Sequence, residues 1–556
     1  MQRIVAVVQK TQVVVLGMVL VAGLLLIVGC NPVRDATPED ESPLDRANIL
    51  LIVADDLGFT DLGSFGGEMS TPNLDTLARN GIRLSNFHSS ASCAPTRSML
   101  LSGTDNHLAG MGSQGNLATE NQRGQPGYQN RISKTVKTVA TSLKEVGYRT
   151  YMTGKWHLGH ETEYLPGARG FDRSFVLLHG GASHFDETPL FPALEKAEWR
   201  LDDQNTTLPE DFYSSVDLTD RMIEFIESDE DQDSPFFAYL AYTAPHWPLQ
   251  APEELLVKHR GTYTMGYDEL LELRMAGAIR EGVVPTGSVA VKSTPGLKSW
   301  SELTPDQQAG YVARMDTYAA MVEGVDQNVG RLLSFLDEQG YLENTIIVFM
   351  SDNGAEGHAI EELPRLQNWL AENFDNTVAN IGSRNSYVTT GEGWARAAMA
   401  PFRLTKARMS EGGIRVPAFI HFPDKNLGSI DSAYMTVMDL APTFMEIANG
   451  PLSEQYRGHS LLTRLRGGEE PVHSVDETIS FEVYGRRAVQ RGTWKLLSME
   501  PPYGTGEWEL HNLEDDPGEQ TDVALEFPAI VTQLSAAWES YAAEVGVIMP
   551  EHPISY

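Results

Sequence analysis

The feature that most constrains this chain is a recurrence of short apolar runs, each ending abruptly in a polar turn. "ANILLIVADD" ends at Asp55-Asp56, "GIRLSNFHS" leads to Cys93, and "YRTYMTGKWHLG" leads to Lys155 and His157. "PFFAYLAYTAPHWP" leads to His246, and "NTIIVFMSDNG" to Asp352-Asn353. Uninterrupted apolar runs of this length suit strands buried on both faces. Helical patterns lie between them. One spans Thr138 to Val146; another spans Met315 to Gln339, with Val322, Val325, Val329, Leu332 and Leu336 along one face. The alternation predicts an α/β fold with a large central, mostly parallel (mixed) sheet sandwiched by helices. Ligands gather at the carboxyl ends of strands in such sheets, so five reactive strand ends predict one shared pocket.

After about residue 430 the texture changes. A helix is expected near Met435 to Ala448, followed by strand-like runs at "TISFEVY", "RRAVQ", "WKLLSM" and "WELHNL". Pro528 to Val545 carries an apolar stripe of Val531, Leu534, Trp538, Tyr541 and Val545, which reads as core. A smaller C-terminal antiparallel sheet with a packing helix is therefore expected over 431–556, after a catalytic domain over 48–430. The stretch from Pro252 to Thr304, charged and punctuated by Gly and Pro, is expected to roof the pocket or form a subunit contact.

Residues 1–29 carry Arg3 and Lys10, no acid, and an apolar run from Val13 to Val28, the anatomy of a bacterial export signal. The run closes on Ile27-Val28-Gly29-Cys30, which resembles a lipobox and so implies a lipid-bearing Cys30 as the mature N-terminus. An uncleaved membrane anchor is the other reading, since the run just reaches spanning length. Either reading places the body outside the cytoplasm, in the periplasm or at the cell surface. Residues 30–47 are acidic, Pro-rich and aperiodic, a disordered tether.

The net charge is −34, with 42 basic residues against 76 acidic ones. No basic face is available to neutralise phosphates, which excludes nucleic acid as a partner. There are only two cysteines. With Cys30 acylated, Cys93 has no disulfide partner. Exported proteins ordinarily use cysteines for crosslinks, so Cys93 reads as kept for its chemistry.

Asp55, Asp56, Asp352 and Asn353 offer three carboxylates and an amide, all hard oxygen donors. A lone Asp at a strand end is ordinarily a cap or turn former; two such pairs at two strand ends point to a cation. Hard oxygens favour Ca²⁺ or Mg²⁺, and a mostly protein-supplied cage suits Ca²⁺, because Mg²⁺ keeps its waters. Cys93 precedes a helix expected over Pro95 to Leu101, where free N–H groups stabilise an anion. A lone cysteine is usually a small buried hydrophobe. Here the setting is polar, and Arg97 follows four residues on.

The stretch C-A-P-T-R-S-M-L-L-S-G resembles the C-x-P-x-R signature of the type I sulfatases, of the alkaline phosphatase superfamily. "ILLIVADDLG", "TGKWHLG", "APHWPLQAP", "SDNG", "RLTK" with "EGGIRVP", and "MDLAPTF" are similar to successive sulfatase blocks, in order, from about residue 48 to 520. "GEGWARAAMAPFRLTK" is most similar to bacterial arylsulfatases.

The resemblance implies that a formylglycine-generating enzyme oxidises Cys93 to formylglycine (3-oxoalanine), reading Pro95 and Arg97 as it does so. The hydrated aldehyde would attack sulfur with one hydroxyl and expel sulfate with the other. Asp55, Asp56, Asp352 and Asn353, with residue 93 itself, are implied as ligands of Ca²⁺. Arg97 is implied to hold the diol, Lys155 and Lys406 the sulfate oxygens. His157 would take a proton from the diol, and His246 would protonate the leaving oxygen. His107 and His184 are expected to be structural, or at most to line the rim.

The implied activity is hydrolysis of small-molecule sulfate esters, aryl or small alkyl. A phosphonate monoester or phosphodiester hydrolase with the same site is the alternative. A non-catalytic anion-binding surface lipoprotein with unconverted cysteine is the reading from another class. It leaves a general acid without purpose.

Overall fold

A computed structural model describes residues 46–229, 233–422 and 427–554. The expected export signal, Cys30 and nearly all of the tether lie outside the described residues. No described helix is long and apolar enough to cross a membrane.

Strands follow in chain order as β1 (Asn48–Ala54), β2 (Ile82–Leu84), β3 (Phe87–His88), β4 (Arg149–Lys155), β5 (Arg173–Leu177) and β6 (Trp199–Leu201). Next come β7 (Gln204–Asn205), β8 (Phe236–Ala241), β9 (Thr345–Ser351), β10 (Ala418–His421) and β11 (Ser429–Asp431). All but β3 form one ten-stranded sheet in the order β11-β2-β10-β9-β1-β8-β4-β5-β6-β7. The middle is parallel: β1 pairs with β9 on one side and β8 on the other, and β8 pairs with β4. The expected α/β sheet is therefore present, and mixed, because β10 runs antiparallel between β9 and β2, as does β6 between β5 and β7.

The apolar runs are continuous because each strand feeds two cores. Ile49, Leu51 and Val53 of β1 face a layer that includes Met99, Leu143 and Phe444. Leu50, Ile52 and Ala54 face the opposite layer, with Met222, Val325 and Leu332. That alternation puts a helix layer on each side of the sheet.

The long helix on the second face spans Pro305–Glu338, starting well before the Met315 expected from periodicity. Its first turns are exposed or half-buried and carry no apolar stripe; a Thr304–Gln307 capping box and Pro305 begin it instead. Within the 252–304 stretch lie helices Glu253–His259 and Tyr267–Glu281. The second packs against Glu392–Ala398 through Tyr267 and Trp394, and buried Arg274 pairs with Asp61 and Glu68. Its Gly277 leaves no room for a side chain, since a Cβ there would lie 2.0 Å from the Gly66 carbonyl oxygen.

After β12 (Met435–Thr436), which pairs with β3, a helix spans Leu440–Ile447. Four strands then form an antiparallel meander: β13 (Ile479–Val483), β14 (Arg486–Arg491), β15 (Trp494–Ser498) and β16 (Glu509–Asn512). The helix Pro528–Val545 lays Leu534 and Trp538 on Val489, Leu496 and Leu510. Buried polar contacts fasten this smaller sheet to the body. Lys495 donates to Glu411 at 2.7 Å, and His107 bridges Asp105 and Glu482 at 3.0 and 2.7 Å.

Candidate active site

Four of the five strand ends meet because β9, β1, β8 and β4 are neighbours running in one direction. Their carboxyl ends deliver Asp352-Asn353, Asp55-Asp56, His246 and Lys155 to the same edge of the sheet. Cys93 arrives differently. Its run breaks into β2 and β3, and the cysteine is the first residue of a helix spanning Cys93–Ser102. All ten residues of that helix are buried, Arg97 included, so it is a core helix without an amphipathic face. At its start the Ala94 amide donates to Gln114 Oε1 at 3.3 Å, and Ser92 Oγ bonds Tyr484 Oη at 2.8 Å.

The thiol of Cys93 lies 3.5 Å from Asp55 Oδ1 and 3.9 Å from Asp56 Oδ1. Lys155 Nζ donates to Asp55 Oδ2 at 2.6 Å, and Lys406 Nζ to Asp56 Oδ2 at 2.8 Å. Arg97 donates from Nε and Nη2 to Asp352 Oδ2, and from Nη1 to the Lys155 carbonyl at 2.9 Å. Asn353 donates from Nδ2 to Asp56 Oδ1 at 2.6 Å. His246 Nε2 is 3.6 Å from Asp56 Oδ2, while its Nδ1 hydrogen-bonds the Trp247 carbonyl at 2.6 Å. The ligand-capable atoms of Asp55, Asp56, Cys93 and His246 all lie within 4.8 Å of one another.

His157 lies in the turn after β4, near enough to Lys155 and Arg97 to feel their charge. It is half-buried, and its ring lies so close to Gly180 that a Cβ there would come 2.7 Å from Cε1. His157 and Asp56 both have positive φ, 56° and 66°, an unfavourable backbone for non-glycine residues that clusters at functional sites.

The electrostatics are those of a crowded, dry site. Burial, then Asp352, raises Asp55 to about 7 against the pull of Lys155 and Arg97; burial also raises Asp56. Burial acts on Asp352 too, but Arg97, Lys155 and Lys406 outweigh it and hold that carboxyl below the usual range. Burial and Asp352 push the Cys93 thiol well up, which disfavours a thiolate. Burial and nearby cations, Lys155 foremost, hold His157 and His246 well below the usual imidazole range.

The donor set fits a hard divalent cation. Three buried carboxylates and an amide converge, and Asn353 Oδ1 is buried without a hydrogen-bond partner. An orphaned amide oxygen beside carboxylates is a ready cation ligand.

One member of the cluster escapes sequence reasoning. Glu356 is buried, lies 3.5 Å from Lys406, and is held at about 2, where His358 and Lys406 overcome the effect of burial. Its place three residues after Asn353, on the same loop, was the available signal. His107 lies in the contact with the C-terminal sheet. His184 stands behind His246, its Nε2 donating to the His246 carbonyl at 2.9 Å and its Nδ1 bonded to Ser214 Oγ at 2.7 Å.

Comparison with known proteins gives the same direction. The Sulfatase family model matches residues 47–450, and that of the N-sulphoglucosamine sulphohydrolase C-terminal region matches 403–540. An uncharacterized sulfatase of Schizosaccharomyces pombe is 40% identical over 526 residues, covering 90% of this chain and 94% of that one. The arylsulfatase of Klebsiella aerogenes is 38% identical over 414 residues, covering 73% and 87%. Among solved structures, Ps i-CgsB in complex with k-i-k-neocarrahexaose matches at TM-score 0.65 and 26% identity, covering 92% and 95%. The phosphonate monoester hydrolase of Agrobacterium radiobacter shares the fold at TM-score 0.54 and 18% identity, covering 90% and 96%. The chain belongs to the sulfatase family of the alkaline phosphatase superfamily and is a sulfuric ester hydrolase.

Proposed function

We propose that the protein hydrolyses aryl or small alkyl sulfate esters, using formylglycine formed from Cys93 and a bound Ca²⁺. The observation that carries this reading is that Cys93 Sγ, the atom that conversion to formylglycine would replace by oxygen, lies within 3.9 Å of both paired aspartates. The likeness to the Klebsiella aerogenes arylsulfatase supports aryl esters.

Asp55, Asp56, Asp352 and Asn353 would hold the cation. Formylglycine would supply a nucleophilic hydroxyl at position 93, and Ca²⁺ would supply Lewis-acid polarisation and a template for the sulfate. The remaining work belongs to side chains of the chain itself. Lys155 and Lys406, each an ammonium with three N–H donors, would donate to the sulfate oxygens. They stabilise charge that grows on those oxygens in the transition state. Arg97 balances Asp352 beside position 93. His157 would accept a proton from the residue-93 hydroxyl. His246 donates from Nε2 to the leaving oxygen; its Nδ1 bond to the Trp247 carbonyl fixes the ring, and an anionic substrate favours its protonated form.

Maturation would require a formylglycine-generating enzyme reading Pro95 and Arg97, and the sequence reading of residues 1–47 places the body outside the cytoplasm on a Cys30 lipid. A mature chain that begins at a diacylglyceryl-bearing Cys30, read by mass, is the expected result; an unmodified Cys30 in a chain that keeps residues 1–29 would refute the lipid. The catalytic reading is tested by the mass of the residue-93 peptide, together with kcat/KM for 4-nitrophenyl sulfate against a matched phenyl phosphonate ester. An aldehyde mass and a strong sulfate preference are expected. A phosphonate preference would move the enzyme to the sister activity, and a thiol in fully active enzyme would refute the modification.

A further inference from the structure

A second group of metal-capable side chains lies outside the carboxylate cluster. His160, His179 and Glu198 bring their ligand atoms within 4.8 Å of one another. They come from three separate segments: the turn after β4, the end of β5, and the residue preceding β6. Glu198 is divided between two tasks. Its Oε2 pairs with Arg200 at 2.7 Å, while Oε1 faces both rings, 3.9 Å from His160 Nδ1 and 3.7 Å from His179 Nε2.

Those distances are too long for hydrogen bonds. His179 Nε2 is buried and has no hydrogen-bond partner. The two rings lie 4.6 Å apart by centroid and are inclined at 51°, so they do not stack as a pair. Two imidazoles and one carboxylate oxygen form the ligand set of an open zinc site. Around tetrahedral zinc, ligand atoms are separated by about 3.3 Å, so the two gaps to Glu198 require about 0.5 Å of closure, and the third, between the rings, is at most 4.8 Å. Burial holds both rings below the usual imidazole range, His179 to about 4, so both are neutral and able to ligate at pH 7.

We propose that His160, His179 and Glu198 form a second metal site, selective for zinc-type transition ions and separate from the hard-oxygen cluster. Bound metal would tie the turn that carries His157 to the turn against which its ring packs. His160 is three residues from His157, and His179 precedes Gly180, against which the His157 ring packs. The side chains of His160 and Glu198 are 44% and 40% exposed, so the ion can enter from solvent.

The probe is Zn²⁺, dialysed against the full-length protein in excess Ca²⁺ so that the carboxylate cluster is already saturated. The wild type is expected to retain about one more equivalent of zinc than His160→Ala and Glu198→Gln, with Kd in the micromolar range or below. His160 is exposed and Glu198 half-buried, and neither belongs to an apolar core, so both substitutions leave the core intact. Co²⁺ should give visible d–d bands of a nitrogen-ligated site in the wild type, absent in His160→Ala. Equal zinc in the wild type and both variants, or no retained zinc in the wild type, overturns the proposal.

Discussion

Arg97 grips Asp352 through one carboxylate oxygen: Nε and Nη2 both donate to Oδ2, at 2.9 and 2.8 Å, while Oδ1 accepts the Asp56 amide at 3.2 Å. Both side chains are fully buried. Removing one partner of such a pair strands a charge and costs about 3–5 kcal/mol. Arg97→Met should therefore lower the unfolding free energy by about that amount, read from guanidinium melts at unchanged m. Arg97→Lys keeps the charge without the fork and should lose less stability while still losing turnover. A wild-type midpoint in Arg97→Met would contradict the pairing.

Chelation should abolish sulfate-ester turnover, and added Ca²⁺ should restore it. Asn353→Ala removes the amide that donates to Asp56 and whose oxygen has no hydrogen-bond partner. It should raise the Ca²⁺ concentration for half-maximal activity at least about tenfold. Full activity in exhaustively stripped protein would rule out the metal role.

Replacing His246 by Ala should cost about 10²–10⁴ in kcat for esters with poor leaving groups and far less for 4-nitrophenyl sulfate. His184→Ala, which removes the hydrogen bond to the His246 carbonyl, should show a milder version of the same leaving-group dependence. A uniform loss across leaving groups would argue against His246 as the general acid.

The strand ends were readable in the sequence because β1, β4, β8 and β9 are buried on both faces and so appear as unbroken apolar runs. Their polar termini mark the pocket edge. The C-terminal strands and helix were readable for a similar reason, from the stripe at Leu534 and Trp538. Other features depend on distant partners. β10 is four residues long and antiparallel, and nothing local in "AFIH" reveals its place between β9 and β2. The start of helix Pro305–Glu338 was hidden because its first turns bury little. Glu356 carries no motif of its own; only folding brings it to Lys406. Arg274 with Asp61 and Glu68, and Lys495 with Glu411, are contacts across long separations that no periodicity encodes.

The contact between the body and the C-terminal sheet predicts a pH-dependent stability. Burial alone would lower His107, but Asp105 and then Glu482 outweigh it and raise the imidazole from 6.5 to about 10. A raised folded-state value contributes stability that is full below about pH 6.5 and is lost as pH rises through about 10. Tyr541 of the last helix donates to the same Asp105 at 2.7 Å, so the charge is shared with that helix. The stability difference between wild type and His107→Gln should be largest near pH 6 and shrink steadily toward pH 10. A difference independent of pH across that window would contradict a charged His107.

The most direct measurement is kcat/KM for 4-nitrophenyl sulfate on the wild type and Cys93→Ala side by side, with circular dichroism on both. Position 93 as the source of the nucleophile predicts an unchanged fold and a loss of at least about 10³ in kcat/KM. A Cys93→Ala enzyme that turns over at the wild-type rate would contradict it.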